Sequence, residues 1–214
     1  MNANKKDILS IIYTLKQAGF GTNDLTSPDT SYPLTLRLLT SETVQNAHII
    51  RLLSRWRKKH EFWFPAQFPV SMKRTKVWLE KKVIEEPDRL LFMIDVHGTY
   101  RGHVGLYRFD VEHKSCEIDN IVRGRSGQKG MMADAIRLMM QWGRKTLGIT
   151  SYTLQTTSDN SRALSLYSKL GFVETKRIPL VYTKTTDGGQ WLEAPEEYTK
   201  SIKRFDVFMT GEGK

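Results

Sequence analysis

The chain has little of what would place a protein outside a reducing compartment or across a membrane. It contains one cysteine, Cys116, among 214 residues, so it forms neither an internal disulfide nor a metal site made of cysteines. No apolar run approaches the ~20 residues that cross a bilayer, and no signal-peptide core follows the polar first residues. No repeat or low-complexity tract appears. We therefore expect a cytoplasmic protein without a membrane partner.

Charge, by contrast, is abundant and unbalanced. The 33 Lys and Arg residues outnumber the 23 Asp and Glu residues, for a formal net charge of +10. Such an excess favours partners that carry phosphates or other anions. The basic residues are scattered, with denser patches at 55–59 and 73–76, rather than gathered in one stripe. We therefore do not expect a nucleic-acid partner.

Hydrophobic periodicity predicts an α/β (α+β) protein with one main domain. The N-terminal helix at 6–18 is expected to be an appendage joined by a polar linker, which divides the chain into residues 1–33, a main domain at 34–210 and a tail at 211–214. Strands are predicted at 34–38, 90–96, 102–109, 116–122, 152–157, 173–181 and 204–210, and helices at 41–56, 71–86, 130–147 and 161–170. The proline-interrupted segment 61–69 is expected to be an aromatic loop.

The segment 160–172 carries the most information about function. Ala163, Leu166, Tyr167 and Leu170 recur at helical spacing, Asn160 can cap the start, and a glycine follows at the end. This pattern buries a tyrosine whose hydroxyl needs a partner. The segment resembles the Asn-x-x-Ala-x-x-Leu-Tyr-x-Lys-x-Gly-Phe signature of GNAT (Gcn5-related) N-acetyltransferases and matches it at every specified position.

The resemblance implies the GNAT fold, a mixed and mainly antiparallel sheet flanked by helices, with a splayed strand pair that holds acetyl-CoA. The Gly127–Gly130 loop between a strand and a helix offers backbone N–H donors to a pyrophosphate. By the resemblance, acetyl-CoA is the cosubstrate, no metal is needed, and the contacting residues are Ile121, Val122, Arg123, Gly127, Gln128, Lys129, Gly130, Met131, Met132, Asn160 and Tyr167.

The glycine loop departs from the usual family pattern, Arg/Gln-x-x-Gly-x-Gly/Ala. Aligning the central glycine on Gly130 places Gly127 at the Arg/Gln position and Met132 at the last small position. One hypothesis is that Arg123, Arg125 or Lys129 supplies the missing phosphate contact from beside the loop.

Acetyl transfer to an amine needs a proton for the departing thiolate and a base for the amine. Tyr167 is the candidate acid, because a phenol is neutral at pH 7 and able to protonate a thiolate. On the strand 116–122, Glu117 is the first candidate base and Asp119 the second. A cross-strand ion pair between Glu117 and Arg108 is the alternative for that carboxylate. His103 and the other four histidines are weaker candidates.

The region between the first strand and the second helix of this fold usually shapes the acceptor site. Here it offers Trp56, Arg57, Phe64 and Arg74, which are able to stack on a sugar or base and to pair with phosphates, or else to pack the helices. The first expectation is the amino group of a nucleotide-linked amino sugar. Protein N-termini of the ribosomal type and small amines are alternatives, as is a non-catalytic acyl-CoA-binding module. The sequence leaves open whether the protein forms a homodimer.

Overall fold

The computed structural model describes residues 5–28 and 30–212. Its helices are α1 (Lys5–Gln17), α2 (Ala47–Lys59), α3 (Met72–Leu79), α4 (Met131–Leu147) and α5 (Ser161–Lys169). Its strands are β1 (Leu25–Thr26), β2 (Leu34–Leu38), β3 (Ala66–Gln67), β4 (Leu90–Val96), β5 (Thr99–Asp110), β6 (Ser115–Arg123), β7 (Ser151–Thr157), β8 (Val173–Thr185), β9 (Gly188–Glu193) and β10 (Arg204–Glu212). Residues 1–4, 29 and 213–214, parts of the predicted N-terminal segment and tail, lie outside the described residues.

The strands form one sheet in the order β1-β2-β4-β5-β6-β7-β10-β8-β9-β3. Among the described strands, every pair is antiparallel except β6 with β7. The predicted mixed, mainly antiparallel sheet is therefore confirmed. Within the described ranges, none of the helices combines the length and apolar character that crossing a membrane needs.

Helices cover both faces of this sheet and enclose two clusters of buried apolar side chains. Met131, Ala135 and Ile136 of α4 pack with the sheet on one face. Leu53 of α2 and Leu79 of α3 pack on the other. Strand β4 lies between the two clusters and is buried along its whole length. The apolar area buried on both faces stabilises the fold.

Helix α1 is part of this core and not the appendage that the sequence led us to expect. Ile8 and Ile12 are buried in the same cluster as α4, and β1 adds itself to the sheet beside β2. The Lys16 ammonium donates hydrogen bonds to the carbonyls of Ile84 and Glu86. Burial lowers the pKa of Lys16 to about 8. The polar composition of the following segment hid these contacts, which join residues far apart in sequence.

The predicted helix at 41–56 is divided in two. Residues Ser41–Gln45 form a 3-10 turn, and α2 begins only after Asn46. The Asn46 Oδ1 accepts hydrogen bonds from the N–H groups of His48 and Ile49, which satisfies two donors that a helix start leaves free. Helix α3 is shorter than predicted and continues as a π-helical turn, Glu80–Ile84.

The C-terminal strands extend further than the periodicity indicated. Strand β8 runs past β10 to Thr185 and turns back as β9, a strand that the sequence did not reveal. Gln190 and Gly189 of β9 then pair with β3. Strand β3 lies inside the 61–69 segment, which was expected to be an irregular loop. Gly211 and Glu212, assigned to a tail, belong to β10. This long hairpin brings the C-terminal part of the sheet to the 61–69 segment.

Candidate active site

Strands β6 and β7 open away from each other in the middle of the sheet. They pair only from Ser115 to Glu117 on β6 and from Ser151 to Thr153 on β7. Beyond that point β6 keeps its pairing with β5, through Val122 and Arg123. Beyond Glu117, the opposite edge of β6 has no partner strand among the described residues. It therefore offers free backbone donors and acceptors to an extended ligand.

A β-bulge marks the point where the two strands separate. The β5–β6 register shifts between His103 and Gly105, where two residues of β6, Asn120 and Ile121, stand against one residue of β5. Asn120 has a positive φ of 49°, a conformation that asparagine tolerates better than most residues. The Nδ1 atom of His103 lies 2.7 Å from the Asn120 carbonyl oxygen. A bulge here changes the direction of the strand and of its backbone groups.

The glycine loop connects β6 to the N-terminus of α4. Gly130 stands before the helix with a φ of 88°, a left-handed conformation in which glycine avoids a steric penalty. Arg101 holds the loop, since its Nη1 donates to the Ser126 carbonyl at 3.0 Å and its own carbonyl accepts from the Arg125 N–H at 2.9 Å. The N-terminus of this 17-residue helix carries a partial positive charge and free N–H groups.

The predicted cofactor residues of this loop divide into two groups. Those on the surface are Arg123, Gly127, Gln128, Lys129 and Gly130, whereas Met131 and Met132 are buried. The two methionines anchor the first turn of α4 in the core. Arg125 is also exposed. Three exposed cations therefore precede the helix start within eight residues of the chain.

Helix α5 closes the far side of the opening, and Asn160 caps it. The Asn160 Oδ1 accepts from the Ala163 N–H at 3.3 Å, and its Nδ2 donates to Thr156 Oγ1 at 3.2 Å. This residue therefore joins the end of β7 to the start of α5. The cap explains an asparagine at this position independently of any ligand.

Tyr167 lies on the inner face of α5 and is 4 % exposed. Its ring meets Phe172 edge to face, with 6.4 Å between centroids. Its hydroxyl makes no hydrogen bond within residues 5–28 and 30–212, and its oxygen is not one of the fully buried, unpaired polar atoms of these residues. Burial raises the pKa of the phenol above its usual range, so Tyr167 stays protonated at neutral pH. The side chain is thus an available proton donor beside the opening.

Both candidate carboxylates of β6 are already paired with arginines. Glu117 accepts a hydrogen bond from Arg108 Nη1 at 2.9 Å, which is the cross-strand ion pair considered as the alternative. Asp119 lies 3.0 Å from Arg89 Nη2 and accepts from Asn120 Nδ2 at 2.7 Å. Burial raises the pKa of Asp119 to about 6 despite the nearby guanidinium. Neither carboxylate lines the pocket described next.

A pocket of about 330 Å³ lies between α2, α3 and the β5–β6 bulge. Its walls are mostly apolar and aromatic, and they contain no Asp or Glu of the described residues. The lining residues are Leu53, Arg57, Phe64, Pro65, Ala66, Phe68, Val70, Arg74, Thr75, Trp78, His103 and Asn120. We call this the acceptor pocket, since it occupies the region expected to receive the acceptor.

Three of the four predicted acceptor residues line this pocket, and the fourth does not. Trp56 is 1 % exposed and belongs to the core under α2. Its ring leaves no room for a side chain at Gly124, where an added Cβ would lie 2.0 Å from the indole. Trp56 therefore packs α2 against the end of β6, which is the packing role considered as the alternative to binding the acceptor.

Arg57 and Arg74 differ in whether a carboxylate of the described residues balances their positive charge. The Arg57 guanidinium stacks 3.8 Å from the Phe64 centroid and donates from Nη2 to the Ala66 carbonyl. Its Nη1 is buried without a hydrogen-bond partner in the described chain. Burial lowers the pKa of Arg57 to about 10, so it remains charged at pH 7. Arg74 is exposed and pairs with Asp187 at 2.8 Å.

Arg204 fastens the aromatic segment to the sheet, a role that the sequence did not reveal. Its guanidinium carbon lies 4.5 Å from the Phe62 centroid and 4.6 Å from that of Trp191. Its Nη2 donates to the Phe62 carbonyl at 3.1 Å and to Thr157 Oγ1 at 3.2 Å. An arginine at the first position of a closing strand was the only signal in the sequence. The aromatic wall of the acceptor pocket thus depends on β9 and β10.

A carboxylate that the sequence analysis did not single out, Asp206, lies on β10. Burial, followed by the charge of Glu117, raises the pKa of Asp206 to about 6. The signal was an aspartate inside an otherwise apolar closing strand. In the described part of the chain, no group of three or more His, Cys, Asp or Glu side chains is arranged to hold a metal ion.

Comparison with known proteins identifies this architecture. Residues 34–173 match the acetyltransferase (GNAT) domain family. The chain belongs to the GNAT acetyltransferase family. The resemblance inferred from segment 160–172 is therefore confirmed, as is the fold expected from it. We call the opening between β6 and β7, together with the glycine loop and α5, the cofactor cleft, after the role that the resemblance led us to expect.

Curated and solved relatives agree with the fold. The chain is 24 % identical over 111 residues to spermidine N(1)-acetyltransferase of Escherichia coli K12, which covers 52 % of this chain and 59 % of that protein. The Vibrio cholerae spermidine N-acetyltransferase, solved with CoA and spermine, is 18 % identical with a TM-score of 0.61 over 84 % of this chain and 95 % of its own.

A ribosomal relative is equally similar in fold. The Salmonella typhimurium acetyltransferase that modifies the N-terminal serine of ribosomal protein L7/L12 is 12 % identical with a TM-score of 0.62. The similarity covers 89 % of this chain and 99 % of that one. At these identities the solved structures establish the fold alone.

Proposed function

We propose that this GNAT protein is an acetyl-CoA-dependent N-acetyltransferase that moves the acetyl group directly to a primary amine. The observation that carries the proposal is the buried Tyr167, whose unpartnered hydroxyl lies beside the cofactor cleft. A phenol hydroxyl that makes no hydrogen bond within the described residues is free to donate one to a ligand in the cleft. Direct transfer needs no covalent enzyme intermediate, because one site holds both reactants in line.

The cofactor cleft has the groups that acetyl-CoA requires. The free edge of β6 at Ile121–Arg123 offers backbone partners to the amides of the pantetheine arm. The N-terminus of α4 offers N–H donors to the pyrophosphate, and Arg123, Arg125 and Lys129 add positive charge around it. The cations of the β6–α4 connection thus compensate for the absent Arg or Gln at position 127. Asn160 serves the cleft by fixing the start of α5.

We further propose that the acceptor carries an anionic group and an apolar or aromatic part. Arg57 supplies a buried guanidinium with an unused N–H, and Arg74 stands at the rim. A polycation entering this pocket would meet repulsion from Arg57, because no carboxylate of the described residues lines the pocket. A nucleotide-linked amino sugar has the required phosphates, ring surface and amine, and is our first choice.

A small amine of the polyamine kind is the second candidate. It is favoured by Glu117 and Asp206, two carboxylates that lie close enough for the charge of Glu117 to raise the pKa of Asp206. The named activities of the Escherichia coli and Vibrio cholerae relatives lie in the same class. The two candidates differ in which charges the acceptor meets, so a panel of amines separates them.

Release of free CoA thiol from acetyl-CoA, followed continuously with a thiol reagent, tests both proposals. The panel contains UDP-glucosamine, glucosamine 6-phosphate, glucosamine, spermidine and a peptide with N-terminal serine. We expect a higher kcat/KM for the phosphate-bearing sugars than for glucosamine, which is their matched control, and than for spermidine. Preference for spermidine would select the second candidate. Acetyl-CoA binding by calorimetry with no turnover on any amine would instead indicate a non-catalytic acyl-CoA-binding module.

A further inference from the structure

His103 occupies a special position at the inner end of the acceptor pocket. It lies on β5 opposite the bulge, is 4 % exposed and lines the pocket together with Asn120. The indole of Trp56 lies 6.0 Å from its ring centroid. The imidazole is therefore held between the core, the bulge of β6 and the space that receives the acceptor.

The hydrogen bond to the bulge determines which ring nitrogen carries the proton. A backbone carbonyl only accepts hydrogen bonds, so the Nδ1 atom, 2.7 Å from the Asn120 oxygen, must be the donor. In the neutral ring, Nε2 then bears a lone pair. Nε2 has no hydrogen-bond partner in the described residues. The ring is thus oriented with its basic nitrogen unused.

Charges around His103 favour this neutral form. Burial lowers the pKa of His103 to about 4, with a smaller contribution from the nearby His60 at the end of α2 and against the raising effect of the hydrogen bond to Asn120. The other charged groups that line the same pocket are Arg57 from α2 and Arg74 from α3, and Arg74 is paired with Asp187. The lone pair on Nε2 is therefore available throughout the neutral pH range.

The other titratable groups of the pocket are unsuited to accept a proton. The guanidinium groups of Arg57 and Arg74 have no lone pair to offer when charged. Glu117 and Asp119, the expected bases, are paired with arginines and do not line the pocket. We propose that His103 is the residue that takes the proton from the acceptor amine during acetyl transfer. This assignment rests on the proposed function.

The balanced reaction uses His103 and Tyr167 at opposite ends of the transfer. The amine nitrogen attacks the thioester carbonyl carbon, and a C–N bond forms as the adduct becomes tetrahedral. Nε2 of His103 accepts the proton of the attacking nitrogen. The C–S bond then breaks, and the departing CoA thiolate takes the Tyr167 hydroxyl proton. The imidazolium returns its proton through solvent, which restores the phenol and the neutral histidine.

The variant His103→Gln tests the assignment, because glutamine retains an N–H donor for the bulge carbonyl but has no basic nitrogen. With UDP-glucosamine and glucosamine 6-phosphate as probes, we expect kcat to fall roughly 100-fold with acetyl-CoA affinity unchanged. His48→Gln, an exposed change on α2, is the matched control and should retain wild-type kcat. Wild-type kcat in His103→Gln overturns the proposal, and so does a loss of acetyl-CoA binding that parallels the loss of rate.

A measurement on the wild-type protein covers the case in which the variant does not fold. Nitrogen-15 spectra of labelled histidine distinguish the two neutral tautomers. We expect His103 to be protonated at Nδ1 and neutral at pH 7, and a proton on Nε2 instead overturns the proposal. If the wild type releases no CoA with any amine, the proposed function fails and the assignment with it. If the wild type turns over and His103→Gln does so equally, only the assignment fails.

Discussion

The cofactor cleft and the acceptor pocket are adjacent but are built in different ways. The cleft consists of backbone edges and two helix starts contributed by one continuous stretch, from β6 to α5. The pocket consists of side chains from α2, α3, the aromatic segment and β5, and a distant hairpin fastens its wall. Backbone geometry tolerates sequence change, whereas side-chain walls do not. A common cofactor and a variable acceptor would follow from this difference.

Charge distinguishes the two regions as well. In the cleft, the cations of the β6–α4 connection are exposed, and solvent screens them. In the pocket, Arg57 is partly buried against aromatic rings, where an electrostatic contact is stronger than in water. Selectivity among acceptors is therefore expected to depend on the pocket.

The largest effect is expected when the proposed proton donor of the cofactor cleft is removed. Tyr167→Phe should lower kcat by about 100-fold or more, because it removes the proton donor for the thiolate. The affinity for acetyl-CoA and the melting temperature should change little, since the hydroxyl makes no hydrogen bond in the described chain. Steady-state kinetics and calorimetry provide the comparison. An unchanged kcat would remove Tyr167 from the mechanism.

The next largest effect should alter the cofactor cleft and the acceptor pocket together, because the substitution lies where they meet. Gly124→Ala would place a Cβ against the buried indole of Trp56, 2.0 Å from its nearest atom. Overpacking of this kind costs about 1–3 kcal/mol, and the displaced Trp56 would disturb His103 and the end of β6. We expect a lower melting temperature and weaker binding of both substrates.

Gly19→Ala is the control for that experiment. The nearest neighbour of its added Cβ is a flexible hydroxyl at 3.3 Å, so its melting temperature should remain near the wild-type value. Equal melting temperatures for the two variants would show that Trp56 does not join the two regions rigidly.

A smaller effect should be confined to the acceptor pocket. Arg57→Gln removes the buried cation, so the KM for glucosamine 6-phosphate should rise roughly tenfold, as expected for a lost charged hydrogen bond. The KM for acetyl-CoA should be unaffected. Arg55→Gln, an exposed change on the same helix, is the control. A parallel rise in the KM for acetyl-CoA would indicate that the two regions are not independent.

The smallest effect concerns the pH dependence of stability. The folded-state pKa of Asp206 is raised to about 6 from an unfolded value near 4. Between these values the folded state binds more protons, so stability falls as pH rises from 4 to 6. Asp206→Asn should reduce this fall by up to about 1 kcal/mol, since the site is partly exposed and screened. Denaturation at pH 4 and pH 7 measures it, with Glu112→Gln as control.

The sequence predicted the helices and strands of the cleft well because their signals are local. The cap at Asn160, the apolar face containing Tyr167 and the glycine before α4 are all read within a few residues. It failed where contacts span the chain. The packing of Ile8 and Ile12, the strand β9 and the clamp at Arg204 each join residues far apart in sequence.

The sequence by itself determined the family, the order of the main elements and the side chain proposed to protonate the thiolate. These depend on helical spacing and capping, which act over one or two turns. Only the tertiary structure decided that Glu117 and Asp119 are paired with arginines and that His103 faces the acceptor pocket. The protonation state and the partners of a side chain depend on burial and on neighbouring strands. No pattern along the chain contains that information.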